Sequence, residues 1–198
     1  MNMRKISINE FKKRRFERSY ISVYIVIRPI SVENEQEIEV KNLCVIYGFT
    51  ALGVRRIIAI YFENTNDNRF WLGVFEDLKA RNLQNIMFLV TPQNKNIERC
   101  AKIIYNNIEI IRSPEDIMSA IDRYFATKTS RTLEIQLKNL ILAEDIEKCE
   151  ENIELFKQQY LYNRLVLEVF KRQEDDIKKL YKYNYCLLYT SPSPRDTR

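Results

Sequence analysis

The amino-acid sequence predicts an α/β fold followed by a helical region, on three observations. Residues 20–62 are dominated by β-branched and aromatic side chains in three runs. Residues 69–96 read as an amphipathic helix, a tight connection, an apolar strand and a break at proline. From Ser113 onward, helix-start signals and helical periodicity replace strand signals.

The three β-rich runs are ISVYIVIRPISV, EIEVKNLCVIY and GVRRIIAIYF, separated by the polar ENEQE and by the region from Gly48 to Gly53. Consecutive strands with short links predict an antiparallel meander. In the next segment Phe70, Trp71, Val74, Phe75 and Leu78 form one apolar stripe at helical period, with Arg69, Glu76, Asp77, Lys79 and Arg81 opposite. Asn66 or Asp67 is placed to cap its start and Asn82 to close its end. Ile86, Met87, Phe88, Leu89 and Val90 are a continuous apolar run of the kind seen in strands covered on both faces, and Pro92 stops it. NIERCAKIIYNN supplies a second amphipathic helix before the short strand IEII. The resulting order, β-β-β-α-β-α-β with a mixed sheet, is what a ribonuclease-H-like fold needs.

The helical region opens at Ser113, Pro114, Glu115 and Asp116: a hydroxyl cap, a proline in the first turn and acids at the positive end of the helix dipole. Met118, Ile121, Tyr124 and Phe125 are its expected buried face. Ile146, Cys149, Ile153, Phe156 and Tyr160 alternate three and four apart over about two heptads, too few for an oligomeric coiled coil, so a helical hairpin is the favoured reading. Leu165, Val166, Val169, Phe170, Ile177 and Leu180 are expected to continue the layer.

Composition excludes several chemistries. The chain has 198 residues, 45% of them hydrophobic, enough for one packed domain with appended helices. It contains no histidine, which removes Ser-His-Asp, Cys-His and His-metal sites. Cys44, Cys100, Cys149 and Cys186 are far apart and form no C-x-x-C pair; with no signal peptide they are expected to be reduced thiols in the cytoplasm. No apolar run approaches the length of a membrane span.

Residues 1–18 hold seven basic side chains against two acidic, so the net charge of +5 resides entirely in this arm. Its run Lys12, Lys13, Arg14, Arg15 is the candidate DNA-binding element, with a solvated basic linker as the bland reading.

The text FWLGVFEDLKARNLQNIMFLV resembles a segment of Mutator-type bacterial insertion-sequence transposases, in which a Phe-Trp-Leu helix runs through Asp-Leu-Lys-Ala-Arg into a strand ending on a catalytic Asp. The likeness is close at 66–90 and looser over 11–128, where SPEDIMSAIDRYFA also resembles a short helix of the family. It implies DNA transposition by two-metal phosphodiester chemistry, with Mg2+ held by acids on the first strand, on the strand after the first helix and on a late helix. This chain departs from that pattern. The family's Tyr-x-Asp-Ala-x-Tyr-Val corresponds to YIVIRPISV, which puts Val26 at the first Asp and Pro29 at the following Tyr. Its Asp-Gly-x-Lys-Gly turn corresponds to VTPQNKN, which puts Pro92 at the second Asp, Gln93 at the Gly and keeps Lys95. The family's Cys-x-x-His cannot occur here, and no late acid aligns.

The expectation is therefore a transposase-family protein without catalytic residues, metal or cofactor. The alternative is a module that binds DNA, its own copy or a related transposase. Glu63, Asp67 and Asp77 are the nearest candidates for relocated ligands, and all three read as ordinary surface acids. The expected organisation is a basic arm at 1–18, the core at 19–112, a helical region at 113–185 and a tail at 186–198. The tail's CLLYTSPSPRD looks like one reading frame of a sequencing-library adapter.

Overall fold

The computed structural model of this chain describes residues 11, 13–33, 38–63, 67–122, 133, 135, 136, 139, 140 and 146–182. The side chains of Glu63, Ile121, Asp122, Ile146, Tyr181 and Lys182 lie outside the description, as do Lys12, Asn66, Tyr124, Phe125 and the tail from Cys186. The chain divides into two compact units, Met1–Ile110 and Ile111–Arg198.

The first unit is built on a mixed sheet. Its strands are β1 (Ser19–Glu33), β2 (Ile38–Phe49), β3 (Arg55–Glu63), β4 (Asn85–Thr91) and β5 (Glu109–Arg112), the last crossing the division between units. Helix α1 (Asn68–Ala80) joins β3 to β4, and α2 (Lys95–Ile104) joins β4 to β5. The spatial order is β3-β2-β1-β4-β5. β1 and β2 pair antiparallel, as do β2 and β3, which is the expected meander; β1 and β4 pair parallel.

Each helix end is made by a local interaction. Asp67 is the α1 cap, its carboxylate accepting from the Phe70 N–H at 2.8 Å. Asn82 takes φ 83°, the left-handed conformation that ends helices. The predicted stripe is buried: Trp71, Val74, Phe75 and Leu78 are all at most 3% exposed, packed with Val23, Ile25, Cys44 and Ile46 of the sheet. In β4, Ile86, Phe88, Leu89 and Val90 are buried, but Met87 is 54% exposed, so the strand is not covered on both faces along its whole length.

Gly48 marks the tightest approach in this core. A Cβ there would lie 2.7 Å from Tyr20 Cδ1, 2.9 Å from Ile58 Cδ1 and 3.1 Å from the Ser22 carbonyl oxygen. Gly48→Ala is expected to cost about 1–3 kcal/mol by overpacking, read as a lower urea midpoint; an unchanged midpoint would show that the site has slack.

The second unit contains α3 (Pro114–Asp122), α4 (Ile146–Gln159) and α5 (Arg164–Lys182). The Ser113 hydroxyl accepts from the Asp116 N–H at 3.3 Å, as the start signal predicts. The buried face of α3 consists of Ile117 and Ala120, one position from the predicted Met118, which is half-buried. α4 and α5 form the expected hairpin, in which Cys149, Ile153 and Phe156 meet the layer of Val166, Val169, Phe170, Ile177 and Leu180. Leu165 does not join that layer; it is 54% exposed. Arg112 is buried at the start of this unit and donates to Asp116, to Gln173 and, at 3.4 Å, to Asp176. That fork ties the end of β5 to α3 and α5.

Candidate functional site

The two positions that the resemblance assigns to metal-binding acids are far apart in sequence and adjacent in the sheet. Tyr20 pairs with Ile86, Ser22 with Phe88 and Tyr24 with Val90 across the parallel β1–β4 ladder. The same offset, carried one step past the end of β4, sets Val26 beside Pro92. Val26 lies in mid-strand, paired with Val45 on β2, and is half-buried. It alternates with Tyr24 on the face opposite Val23 and Ile25, where Tyr24 stacks on Tyr47 with ring centroids 4.9 Å apart. Pro92 leads directly into α2, whose first amides are already taken: the Asn94 side chain accepts from the Asn96 and Ile97 N–H groups at 2.9 and 3.3 Å.

The residues present do not fit a divalent cation. An isopropyl side chain and a pyrrolidine ring offer no donor atom at the two positions. The three replacement candidates are not gathered there either. Asp67 is the α1 cap. Asp77 accepts from the Tyr61 hydroxyl and from Arg81, both at 3.2 Å. Burial, and then the Asp77 charge, push the Tyr61 hydroxyl well above its ordinary pKa, so it stays protonated and donating. Glu63 ends β3, with its side chain outside the described residues. Among the described residues no group of three or more Cys, Asp or Glu side chains could hold a metal.

Nucleophilic cysteine chemistry is also disfavoured. Cys44, Cys100 and Cys149 are free and buried. Burial, with Glu150 adding to it, pushes the Cys149 thiol up to about 12, and burial raises Cys100 as well.

The basic arm is anchored where it is described, a feature that local sequence patterns do not reveal. The hub is Arg81, whose position opposite the apolar stripe predicted a solvated side chain. Its guanidinium donates to the Phe11 carbonyl at 2.8 Å, the Arg14 carbonyl at 3.1 Å and Asp77, and lies 4.2 Å from the Phe16 ring centroid. The Phe16 N–H donates to the Arg81 carbonyl, Asn82 donates to the Phe16 carbonyl, and the Phe16 ring is 5% exposed in the core. Of the candidate DNA-binding residues, Arg14 is half-buried and donates to the Ile57 carbonyl at 2.9 Å, whereas Lys13 and Arg15 are exposed. The arm enters the sheet where Gln84 and Asn85 donate to the Arg18 carbonyl, at the start of β4. Pro92 lies past the other end of that strand, roughly 20 Å away at the usual rise per residue.

This geometry belongs to a known family. Residues 3–186 match the family described as "Transposase, Mutator family", and the chain belongs to that family. The match extends well past the 11–128 span in which individual motifs are recognisable and ends at the first residue of the predicted tail.

Two particular relatives are transposases of insertion elements. The chain is 24% identical over 161 residues to the transposase for insertion sequence element ISRM3 of Rhizobium meliloti (strain 1021). It is 22% identical over 161 residues to a probable transposase for an ISRM3-like element of Sinorhizobium fredii (strain NBRC 101917 / NGR234). Each match covers 78% of this chain and 38% of the relative, so the chain spans well under half of either protein.

Solved structures show a slight likeness. A simian T-cell lymphotropic virus intasome in complex with PP2A regulatory subunit B56 gamma gives a TM-score of 0.36 at 8% identity, covering 67% of this chain and 52% of the other. A Drosophila P element transposase strand transfer complex gives 0.34 at 8% identity, covering 94% and 51%. Among the described residues no helix is long and apolar enough to cross a membrane.

Proposed function

We propose that this chain is a ribonuclease-H-like transposase core of the Mutator family that has kept its packing and lost the DNA-cleaving and strand-transferring chemistry. The observation that carries the reading is the side-by-side placement of Val26 and Pro92 across the β1–β4 ladder. The strand order β3-β2-β1-β4-β5 with a parallel β1–β4 pair supports the ribonuclease-H-like assignment. In such a core the two central acids share one cation, and losing both removes the charge that stabilises attacking and leaving oxygens. Membership of the family supports a role connected with transposition. The test is incubation of the purified chain with insertion-element-end DNA and Mg2+ or Mn2+. No nicked, cleaved or transferred product is expected; metal-dependent product that disappears in a Glu63→Ala or Asp77→Ala variant overturns the reading.

The second reading is a module that holds DNA or a partner transposase through Lys12, Lys13, Arg14 and Arg15. It is favoured by the anchoring of the arm, which leaves Lys13 and Arg15 exposed on an ordered support. Arg14, already engaged with Ile57, is expected to contribute less. Replacing Lys13 and Arg15 by alanine should then lower the slope of log affinity against log salt by about two for duplex DNA. Absence of retardation at low salt counts against this module.

A further inference from the structure

The tip of the α4–α5 hairpin exposes apolar side chains on an ordered turn. Tyr162 is 99% exposed, Leu161 62% and Leu165 54%. The turn is held by hydrogen bonds: the Asn163 N–H donates to the Tyr160 carbonyl at 2.8 Å, and the Asn163 side chain caps α5 by accepting from the Val166 N–H at 3.2 Å. An aromatic ring held rigidly in water on such a turn has the character of an interface anchor.

Beside the tip, on the same hairpin, runs a groove of about 450 Å3 with Leu161, Leu167 and Phe170 along its floor. Its rim is charged in a defined order. Lys157 on α4 and Lys171 on α5 lie toward the tip; Glu154 and Glu174 lie one turn farther from it on the same helices. The groove is therefore positive near the tip, negative away from it and neutral in sum. A polyanion would meet repulsion along half its length. A second hairpin laid antiparallel would set its positive half on the negative half of the first, and the reverse, while bringing each Tyr162 toward the other's groove.

We propose that the α4–α5 hairpin is a self-association surface, on which a second copy of this chain docks antiparallel with its Tyr162 in the Leu167–Phe170 groove. The arrangement is isologous, so one contact is made twice. It is independent of whether the first unit cleaves DNA. Within the hairpin, Lys157 bridges Glu154 and Glu174 at 3.0 Å each, and Lys178 adds a 2.8 Å bond to Glu174, so the charged rim is ordered before any partner arrives.

The test is sedimentation velocity of the whole chain from low to high micromolar concentration, on the native protein and on Tyr162→Glu and Lys171→Glu. Since Tyr162 is almost wholly exposed, its substitution leaves the hairpin core intact, which far-ultraviolet circular dichroism verifies. A concentration-dependent dimer is expected, weakened about tenfold or more by Tyr162→Glu and more modestly by Lys171→Glu, the second effect shrinking at high salt. A chain that stays monomeric throughout, as it would if the groove served some other partner, overturns the proposal. So does a dimer indifferent to Tyr162→Glu.

Discussion

Placing aspartate at positions 26 and 92 together is expected to create a divalent-cation site. Residues in register on neighbouring strands sit about 4.8 Å apart, close enough for two carboxylates to share one octahedral ion. Val26 is half-buried, so Val26→Asp alone introduces a partly desolvated charge and should lower stability. Mn2+ should offset that loss only when the second carboxylate is present. The double variant Val26→Asp, Pro92→Asp is therefore expected to rise in melting temperature as Mn2+ is added, by an amount worth about 2.7 kcal/mol at a hundredfold excess over its dissociation constant. Native chain and single variants should show no such rise. A double variant indifferent to Mn2+ would mean that the two positions do not converge as the ladder offset places them.

The second large effect concerns the core. Trp71 is 1% exposed, its ring 5.0 Å from that of Phe70 and 6.3 Å from that of Phe75. Trp71→Ala leaves a cavity at the junction of α1 and the sheet, and such changes cost about 3–5 kcal/mol against a typical domain stability of roughly 5–15 kcal/mol. Urea unfolding followed by circular dichroism should show the midpoint fall steeply, whereas Phe62→Ala, at a side chain 62% exposed, should move it by no more than about 0.5 kcal/mol. Equal effects of the two would contradict the packing described here.

Features written in local periodicity were legible in the sequence: the meander, the α1 stripe, the Asp67 cap, the stop at Pro92 and the Ser113 start. Features set by partners distant in sequence were not. Arg81 reads as solvated because its neighbours along the helix are polar, yet its carbonyl acceptors are 67 and 70 residues away. Met87 sits inside an unbroken apolar run and is nevertheless exposed, since composition alone does not say how far each face is covered. Leu165 follows the Asn163 cap in the first turn of α5, where the helix has not yet turned that position toward α4. The candidate site was legible only through the resemblance. No periodicity connects Val26 to Pro92; the parallel ladder does.

The account stands most directly on the absence of a cation site in the native chain, and titrating Mn2+ into that chain while following the free-ion signal by electron paramagnetic resonance measures it. The account predicts a free signal that rises in proportion to the added ion, with no stoichiometric loss. Loss of one equivalent or more of that signal, restored by Glu63→Ala or Asp77→Ala, would contradict it and show that acids elsewhere in the fold have taken over the metal.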